Sequence, residues 1–263
     1  MRVLALSHQL GHHLMGESDE AINLLKRLIV HAETTARFNV YFGKGRDYND
    51  VPGRVVHESI FNQKNGSYRN PSTQQGYSPF TTWTRGLAWI ILGFAEHLEY
   101  IDSLDDDEIN KLNLTYFQSK SQVVDRFLGV ARITSDYYIK NTPLDGIPYW
   151  DTGAPGLVNL VNYLEKKADP ANEFEPVDSS AAAIAAQGIL RLGRYLNKNS
   201  EKNEGSSYFQ AGLTIADRLF SEDYLSTDKD HQGLLLHSVY HRPNNWDHIP
   251  AGKNIPCGES SMW

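Results

Sequence analysis

The sequence is poor in cysteine and has no long uncharged apolar run. Cys257 is the single cysteine in 263 residues, so an internal disulfide framework is excluded. The longest uncharged apolar run, residues 87–95, is too short to span a bilayer. Near the start, the apolar run after Arg2 covers only residues 3–6, which is too short for a signal peptide. We therefore expect a protein of the cytoplasm with no membrane partner.

An excess of positive charge is also missing. Lys and Arg number 25 against 32 Asp and Glu, which leaves a net charge of −7, and the basic residues form no patch. Because nucleic-acid binding needs such a patch, we expect no nucleic-acid partner. The hydrophobic content of 40% is enough for one large core. We therefore expect residues 1–263 to belong to a single domain.

Apolar residues recur at helical spacing over much of the chain, and long polar loops separate these stretches. No strand-like alternation extends over several segments, so the pattern favours an all-α fold. A fixed repeat of about 20–50 residues, as in helical arrays, is absent. A closed ring of helical hairpins fits better. The predicted helices are residues 1–15, 18–38, 83–101, 121–140, 155–166, 179–196 and 206–220.

The segment 74–95 runs from a polar, aromatic loop into an apolar helix. The hydroxyl of Thr82 is placed to cap this helix, and Trp89 follows Arg85 by one turn on the same face. An arginine can bind a carboxylate through two hydrogen bonds, and an indole offers a flat face to a sugar ring. The segment thus suits a flat, polar, negatively charged ligand. The alternative is that Trp83 and Trp89 belong to the core and that Arg85 pairs with a structural acid.

Two pairs of side chains suggest metal ions without completing a site. His8 and His12 share one helix face, but no acid lies nearby in sequence to complete a zinc site. Asp47 and Asp50 lack the spacing of a calcium loop and are predicted to be turn acids. We expect no metal and no required cofactor.

A series of short motifs follows in order along the chain. These motifs are His57-Glu58, Asn65-Gly66-Ser67, Gln75-Gly76, Thr82-Trp83, Arg85-Gly86, Ala88-Trp89, Gly93-Phe94 and the segments 147–151, 178–183 and 259–263. Their types and order resemble those of the unsaturated glucuronyl hydrolases, glycoside hydrolase family 88. Each motif is weak alone, but together they are specific and cover most of the chain from His57 onward.

The resemblance implies an (α/α)6 barrel of helical hairpins, incomplete in this chain, with the site at the ends of the inner helices. Enzymes of this family release a terminal 4,5-unsaturated uronic acid from oligosaccharides that polysaccharide lyases produce. Hydration of the vinyl ether double bond gives a hemiketal, which opens and expels the remaining sugar. This chemistry needs a general acid–base, an aspartate in the family, and a second acid to position it. The implied partner is an unsaturated uronide oligosaccharide.

The resemblance also implies roles for single residues. His57 is assigned to catalysis at the reacting sugar, Gln75 to binding that sugar, Arg85 to charge recognition and Trp89 to stacking. Asp151 is the best local candidate for a catalytic carboxylate, although we do not equate it with the family's acid. The remaining substrate-binding candidates are Trp83, Trp150, Ser260 and Ser261. Asp178 is predicted to be a helix cap.

One departure from the family pattern is serious. The family's two aspartates precede the His57 region, the nearer one at or just before Met1, and here no aspartate precedes Asp19. We therefore expect an interior fragment that binds sugar weakly and has no activity of its own. Three alternatives stay open: a related unsaturated rhamnogalacturonyl hydrolase, a carbohydrate-binding protein without catalytic acids, and a helical scaffold for protein partners.

Overall fold

The computed structural model describes residues 2–199, 201–230 and 234–256. Two short antiparallel pairs of strands accompany the helices: β1 (Leu14–Met15) with β2 (Ala21–Ile22), and β3 (Glu58–Phe61) with β4 (Tyr68–Ser72). Most buried apolar residues lie on helices, which confirms the all-α class. The helices are α1 (Arg2–Gln9), α2 (Leu24–Asn39), α3 (Thr84–Ser103), α4 (Asp106–Asn110), α5 (Lys120–Lys140), α6 (Ser179–Lys198) and α7 (Lys202–Leu219).

Helix α3 is the centre of the described core. On one face of α3 the apolar residues recur at helical spacing and are buried, and α5 packs against the helix. The rings of Phe94 and Phe127 meet edge to face with centroids 5.3 Å apart. At the far end of α3, Lys120 Nζ donates to the carbonyl of Asp102 at 2.9 Å. The start of α5 therefore lies beside the end of α3, and the two helices are antiparallel.

Helices α3 and α6 lie side by side and run in the same direction. Arg85 near the start of α3 bonds to Ser180 near the start of α6, and further along Leu92 faces Gly188. A Cβ added to Gly188 would lie 2.7 Å from the backbone nitrogen of Leu92, so only glycine permits this approach. As a result, the N-terminal ends of α3 and α6 meet at one end of the molecule.

Helices α6 and α7 form a tight antiparallel hairpin. A Cβ added to Gly193 would lie 2.7 Å from the carbonyl oxygen of Gly205, and one added to Gly212 would meet the side chain of Leu190. Helix α1 packs on α2 and α3. The described part of the chain thus places parallel helices α3 and α6 side by side, each with an antiparallel partner. This is the arrangement expected for consecutive hairpins of a helical ring.

The structure corrects the helix boundaries near the N-terminus. The predicted helix 1–15 ends at Gln9, because Gly11 takes a φ of 68° and the chain then enters strand β1. Ser18 does not start α2, since its own φ is 61°. Instead, the side chain of Asn23 caps α2 by accepting the backbone N–H of Lys26 at 2.9 Å. The sequence pattern therefore predicted the body of α2 correctly but misplaced its start.

Two other predictions also fail in detail. The predicted helix 155–166 is only two short 3-10 turns, Pro155–Asn159 and Tyr163–Glu165, interrupted by a φ of 53° at Asn162. Between the predicted helices 83–101 and 121–140 the sequence predicted no helix, but α4 lies there, and Asp105 and Glu108 start it with a reciprocal capping box. The predicted helices corresponding to α3, α5 and α6 are confirmed, and α7 begins slightly earlier than expected.

The remaining sequence candidates have structural roles. His8 Nδ1 lies 2.7 Å from the hydroxyl of Tyr100, and Asp50 accepts backbone N–H groups of its own loop. Within residues 2–199, 201–230 and 234–256, no group of three or more metal-binding side chains is placed to hold an ion. None of the helices in these ranges combines the length and apolar character needed to cross a membrane.

Candidate functional site

A cleft of about 450 Å³ opens beside the first turns of α3. Five residues singled out from the sequence line it, on two loops and one helix. Residues of α2, which the sequence did not single out, complete the lining. The lining consists of Thr35, Asn39, Val55, Val56, His57, Gln75, Trp83, Arg85, Gly86, Trp89 and Ile90.

His57 lies on the segment that leads into β3. Asn39 holds this segment, since its Nδ2 donates to the carbonyls of Val56 at 3.1 Å and of His57 at 3.3 Å. The imidazole packs against the ring of Trp83 with centroids 4.7 Å apart. Burial lowers the pKa of His57 below its ordinary value of 6.5. The ring is therefore neutral at neutral pH.

The charged groups around His57 act on its pKa in both directions. Arg85 and His241 lower it further, whereas Glu58 opposes them. On the loop side, Nδ1 of His57 accepts the backbone N–H groups of Gln74 at 3.2 Å and of Gln75 at 3.3 Å. The polar loop predicted from the sequence thus contacts the histidine through its backbone.

Asp151 lies beneath this loop and does not line the cleft. It is fully buried; its Oδ2 accepts the N–H of Tyr77 at 2.9 Å and its Oδ1 that of Gly153 at 2.9 Å. Burial raises the pKa of the carboxyl, while these two donors oppose the shift. The structure thus gives no support to the catalytic assignment of Asp151, because its carboxylate binds backbone amides and has no access to a ligand.

Arg85 is buried and holds together three segments of the chain. Its guanidinium donates to the carbonyls of Val239 and Tyr240, the latter at 2.7 Å. It also donates to Ser180 Oγ at 3.2 Å and forms an ion pair with Asp178 at 3.4 Å. The alternative that Arg85 pairs with a structural acid is therefore what the structure shows, although Arg85 also forms part of the cleft wall.

Asp178 has the predicted role of a helix cap. Its Oδ1 accepts the backbone N–H groups of Ser180 and Ala181, both at 3.2 Å, and so starts α6. Thr82, by contrast, does not cap α3. Its hydroxyl donates to the carbonyl of Val55 at 3.1 Å and joins the start of α3 to the loop before β3.

The three tryptophans near the cleft differ in exposure. Trp89 is 41% exposed, whereas Trp83 is buried beneath the His57 ring. Trp150 is 4% exposed, and its Nε1 donates to Glu175 Oε2 at 2.7 Å. The assignment of Trp150 to substrate binding is therefore not supported, because its ring belongs to the core. Of these three residues, Trp89 alone presents a substantial indole face.

The segment 234–247 approaches the cleft from the C-terminal part of the chain. Gln75 Nε2 donates to the carbonyl of Tyr240 at 3.3 Å, beside the bond from Arg85. No sequence pattern identified the carbonyl of Tyr240 as a partner of Gln75 and Arg85. No sequence pattern indicated that Thr35 and Asn39 of α2 would line the cleft either. The candidates Ser260 and Ser261 lie outside the described residues.

The fold and the cleft define a helical-barrel protein with a polar, aromatic site. The solved unsaturated glucuronyl hydrolase of Bacillus sp. GL1, an (α/α)6 barrel, matches with a TM-score of 0.62 at 24% identity. The match covers 92% of this chain and 49% of that one. A solved unsaturated glucuronyl hydrolase specific for heparin matches with a TM-score of 0.59 at 20% identity, over 86% of this chain and 46% of that one. The predicted barrel architecture is confirmed, and this chain corresponds to about half of the solved Bacillus barrel, 49% of its length.

Two curated relatives are more specific about the kind of protein. The chain is 26% identical to the unsaturated glucuronyl hydrolase of Formosa agariphila over 220 residues, 83% of this chain and 41% of that protein. It is 27% identical to the unsaturated chondroitin disaccharide hydrolase of Streptococcus pyogenes over 211 residues, 80% of this chain and again 41% of that protein. No protein-family model matches. The predicted resemblance to the unsaturated glucuronyl hydrolases is confirmed, and the chain spans about 41% of the relatives' length.

Proposed function

We propose that this chain forms the sugar-recognition part of the active site of a glycoside hydrolase that acts on unsaturated uronides. The observation that carries the proposal is the cleft itself, in which the exposed face of Trp89 lies beside the polar groups of His57 and Gln75. A pyranose ring combines an apolar face with a polar edge, and this cleft has one wall for each. The resemblance to unsaturated glucuronyl hydrolases supports the same ligand class.

The charges in the cleft refine how the sugar would be held. Arg85 and Asp178 are both buried and form an ion pair, so their charges largely cancel. We therefore assign recognition of the uronate mainly to hydrogen bonds from His57 and Gln75, and stacking to Trp89. Ser260 and Ser261 stay candidates for the carboxylate by resemblance alone.

The reaction proposed for the whole enzyme is hydration of the double bond between C4 and C5. A proton adds to C4, the oxygen of water bonds to C5, and the resulting hemiketal opens and expels the remaining sugar. A carboxylic acid has to supply the proton. No carboxylate is found among the described residues that line the cleft. We therefore expect the chain by itself to bind the sugar and to turn it over slowly or not at all.

The names of the relatives favour a glucuronyl or chondroitin-type uronide over a rhamnogalacturonan product. We propose that residues 1–263 belong to one barrel domain. A carbohydrate-binding protein without turnover is the second candidate, because the described cleft lining has no carboxylate.

Binding and turnover are separable in one experiment. The purified chain is titrated by calorimetry with an unsaturated chondroitin disaccharide and with its saturated counterpart. Loss of ultraviolet absorbance follows the double bond in the same samples. We expect tighter binding of the unsaturated sugar and little loss of absorbance. Equal binding of both sugars without turnover would favour the binding protein, and no binding of either sugar would contradict the proposal.

A further inference from the structure

The two ring nitrogens of His57 have different surroundings. Two backbone N–H groups, those of Gln74 and Gln75, converge on Nδ1 at 3.2 and 3.3 Å, and the hydroxyl of Thr73 lies 3.5 Å from the same nitrogen, where it can donate as well. A backbone amide nitrogen carries a hydrogen and can only donate, so the nitrogen that accepts it has to hold a lone pair. The proton of the neutral ring is then on Nε2. Among the described residues, Nε2 has no protein hydrogen-bond partner, and the ring lines the cleft.

The amides that converge on Nδ1 belong to the turn formed by residues 73–77. Within the turn, Thr73 Oγ1 accepts the N–H of Gly76 at 2.8 Å. From below, Asp151 Oδ2 accepts the N–H of Tyr77 at 2.9 Å. A Cβ added to Gly76 would lie 2.7 Å from Thr73 Oγ1 and 3.0 Å from Asp151 Oδ2, so both side chains pack closely on this backbone. The carboxylate thus holds the turn in the position that directs its amides at His57.

We propose that Asp151 is a positioning residue that acts through the turn 73–77 to hold His57 as its neutral Nε2–H tautomer. His57 then donates a hydrogen bond from Nε2 into the cleft. It does not accept a proton during the reaction, because its only lone pair is directed at two backbone amides. The catalytic role assigned to His57 from the sequence becomes that of a fixed donor, and Asp151 acts at one remove from the ligand.

The groups that face His57 are compatible with this arrangement. Arg85 and His241 favour the neutral ring, and Glu58 is the only one of the charged neighbours that favours the imidazolium. His57 lies over the ring of Trp83, which limits rotation of the imidazole. A ring flip would place Cδ2–H where Nδ1 now lies, which is unfavourable because the amides of Gln74 and Gln75 would then lose their acceptor.

The tautomer can be read directly by NMR on the free protein. Protonated and unprotonated ring nitrogens of histidine differ widely in 15N chemical shift. In a histidine-15N-labelled sample at neutral pH, the signals that disappear in His57→Gln identify His57. We expect one unprotonated Nδ1 and one protonated Nε2. A protonated Nδ1, a charged ring or an equal mixture of tautomers would overturn the proposal.

Variants test the part assigned to Asp151. In Asp151→Asn, the amide NH2 group would face one of the two backbone donors, so one hydrogen bond is lost. We expect both 15N shifts of His57 to move toward each other as the second tautomer becomes populated. Asp145→Asn is the control, since Asp145 is also buried and accepts a backbone N–H, that of Ala168 at 3.1 Å, but it pairs with Arg218 and does not line the cleft. Unchanged His57 shifts in folded Asp151→Asn would contradict the positioning role.

A second pair of variants keeps the test decisive if Asp151→Asn does not fold. Thr73→Val removes the acceptor for Gly76 together with the hydroxyl beside Nδ1, and it should move the His57 shifts in the same direction, whereas Thr73→Ser keeps both contacts and should leave the shifts at their wild-type values. If Thr73→Val leaves the shifts at their wild-type values, the turn does not control the tautomer. The donor role of Nε2 rests on the proposed sugar function, but the tautomer does not. A confirmed tautomer without sugar binding would therefore refute the function and leave the positioning role standing.

Discussion

Helix α3 makes two kinds of contact, and their chemistry differs. Along its length it packs on α6 through small residues and apolar side chains, and the ion pair of Arg191 with Glu99 lies at the half-exposed edge of this contact. At its first turn it meets loops, and there the contact is made by the buried Arg85, Asp151 and Asp178. The backbone groups of a helix bond to one another, so two helices can pack through complementary side-chain shapes without further polar contacts. The backbone groups of a loop do not all bond to one another, and buried charged side chains supply the missing partners.

The same rule holds elsewhere in the loop region. Arg54 is fully buried; it donates to the carbonyl of Pro79 at 3.1 Å and to Asp47 at 2.8 Å. Its guanidinium also lies 3.7 Å from the ring centroid of Tyr41. The loop region is thus held by a few specific ionic and hydrogen-bonded contacts, and the helical core by many small apolar ones. Loss of one contact should therefore cost more in the loops.

The largest effect is expected on the loop side. Arg85→Met leaves the buried carboxylate of Asp178 without its cation and the carbonyls of Val239 and Tyr240 without a donor. Removal of one partner of a buried ion pair costs about 3–5 kcal/mol, and we expect this loss in the free energy of unfolding. Urea titration measures it. The double variant Arg85→Met/Asp178→Asn should recover part of the loss, since Asn still caps α6. If the single variant were as stable as the wild type, the conclusion that loop contacts depend on a few buried charges would be wrong.

On the helical side, Gly188→Val should separate α3 from α6. The new Cβ would lie 2.7 Å from the nitrogen of Leu92 and 2.8 Å from the carbonyl carbon of Ile91, and both are backbone atoms that cannot move aside. Overpacking of this kind costs about 3 kcal/mol. Gly129→Ala in α5 is the control, because nothing lies within 4 Å of the added methyl group. That variant should gain about 0.5–1 kcal/mol. Equal melting curves for the two variants would argue against the close approach.

A variant of Trp89 distinguishes an effect on sugar binding from an effect on stability. Because the indole is 41% exposed, Trp89→Ala should weaken sugar binding about tenfold, or ~1.4 kcal/mol, with little change in melting temperature. Calorimetry with the unsaturated disaccharide measures the change. Phe220→Ala removes an exposed aromatic ring that does not line the cleft, and it should leave binding unchanged. A large drop in the melting temperature of Trp89→Ala would show that the residue belongs to the core.

The smallest effect concerns the pH dependence of stability. The pKa of His57 is lowered by burial from 6.5, so the unfolded state binds a proton first as the pH falls. The stability linked to His57 is full above pH 6.5 and is lost as the pH falls from there toward the folded-state pKa. His57→Gln should flatten this part of the profile. The pKa of His31 is also lowered, so the difference between the two proteins is the quantity to measure. Parallel profiles would contradict the shift.

The sequence predicted the helices well where apolar residues recur at helical spacing. The helices containing Phe94, Phe127 and Ala185 were predicted closely, since each has an apolar stripe that recurs every turn. The start of α2 was missed, because Ser18 and Asn23 are both good capping residues. The choice between them depends on the pairing of β1 with β2, which lies outside the helix.

For the candidate site, the motifs identified five residues of the cleft wall and misplaced Trp150 and Asp151. Local sequence has no information on which of several similar side chains will face solvent. Trp89 and Trp150 are equivalent in type, yet of the two only Trp89 faces the cleft. The carbonyl of Tyr240, which binds Arg85, comes 155 positions later in the chain.

By itself, the sequence determined the helical class, most helix positions, the motif order and the resemblance to the unsaturated glucuronyl hydrolases. These features depend on residue types at short spacing along the chain, which the sequence shows directly. The tertiary structure alone decided that Arg85 pairs with Asp178 and that Asp151 supports the turn beside His57. These side chains bond to groups on loops that are distant in sequence. The loops come close to one another only when the helices have packed.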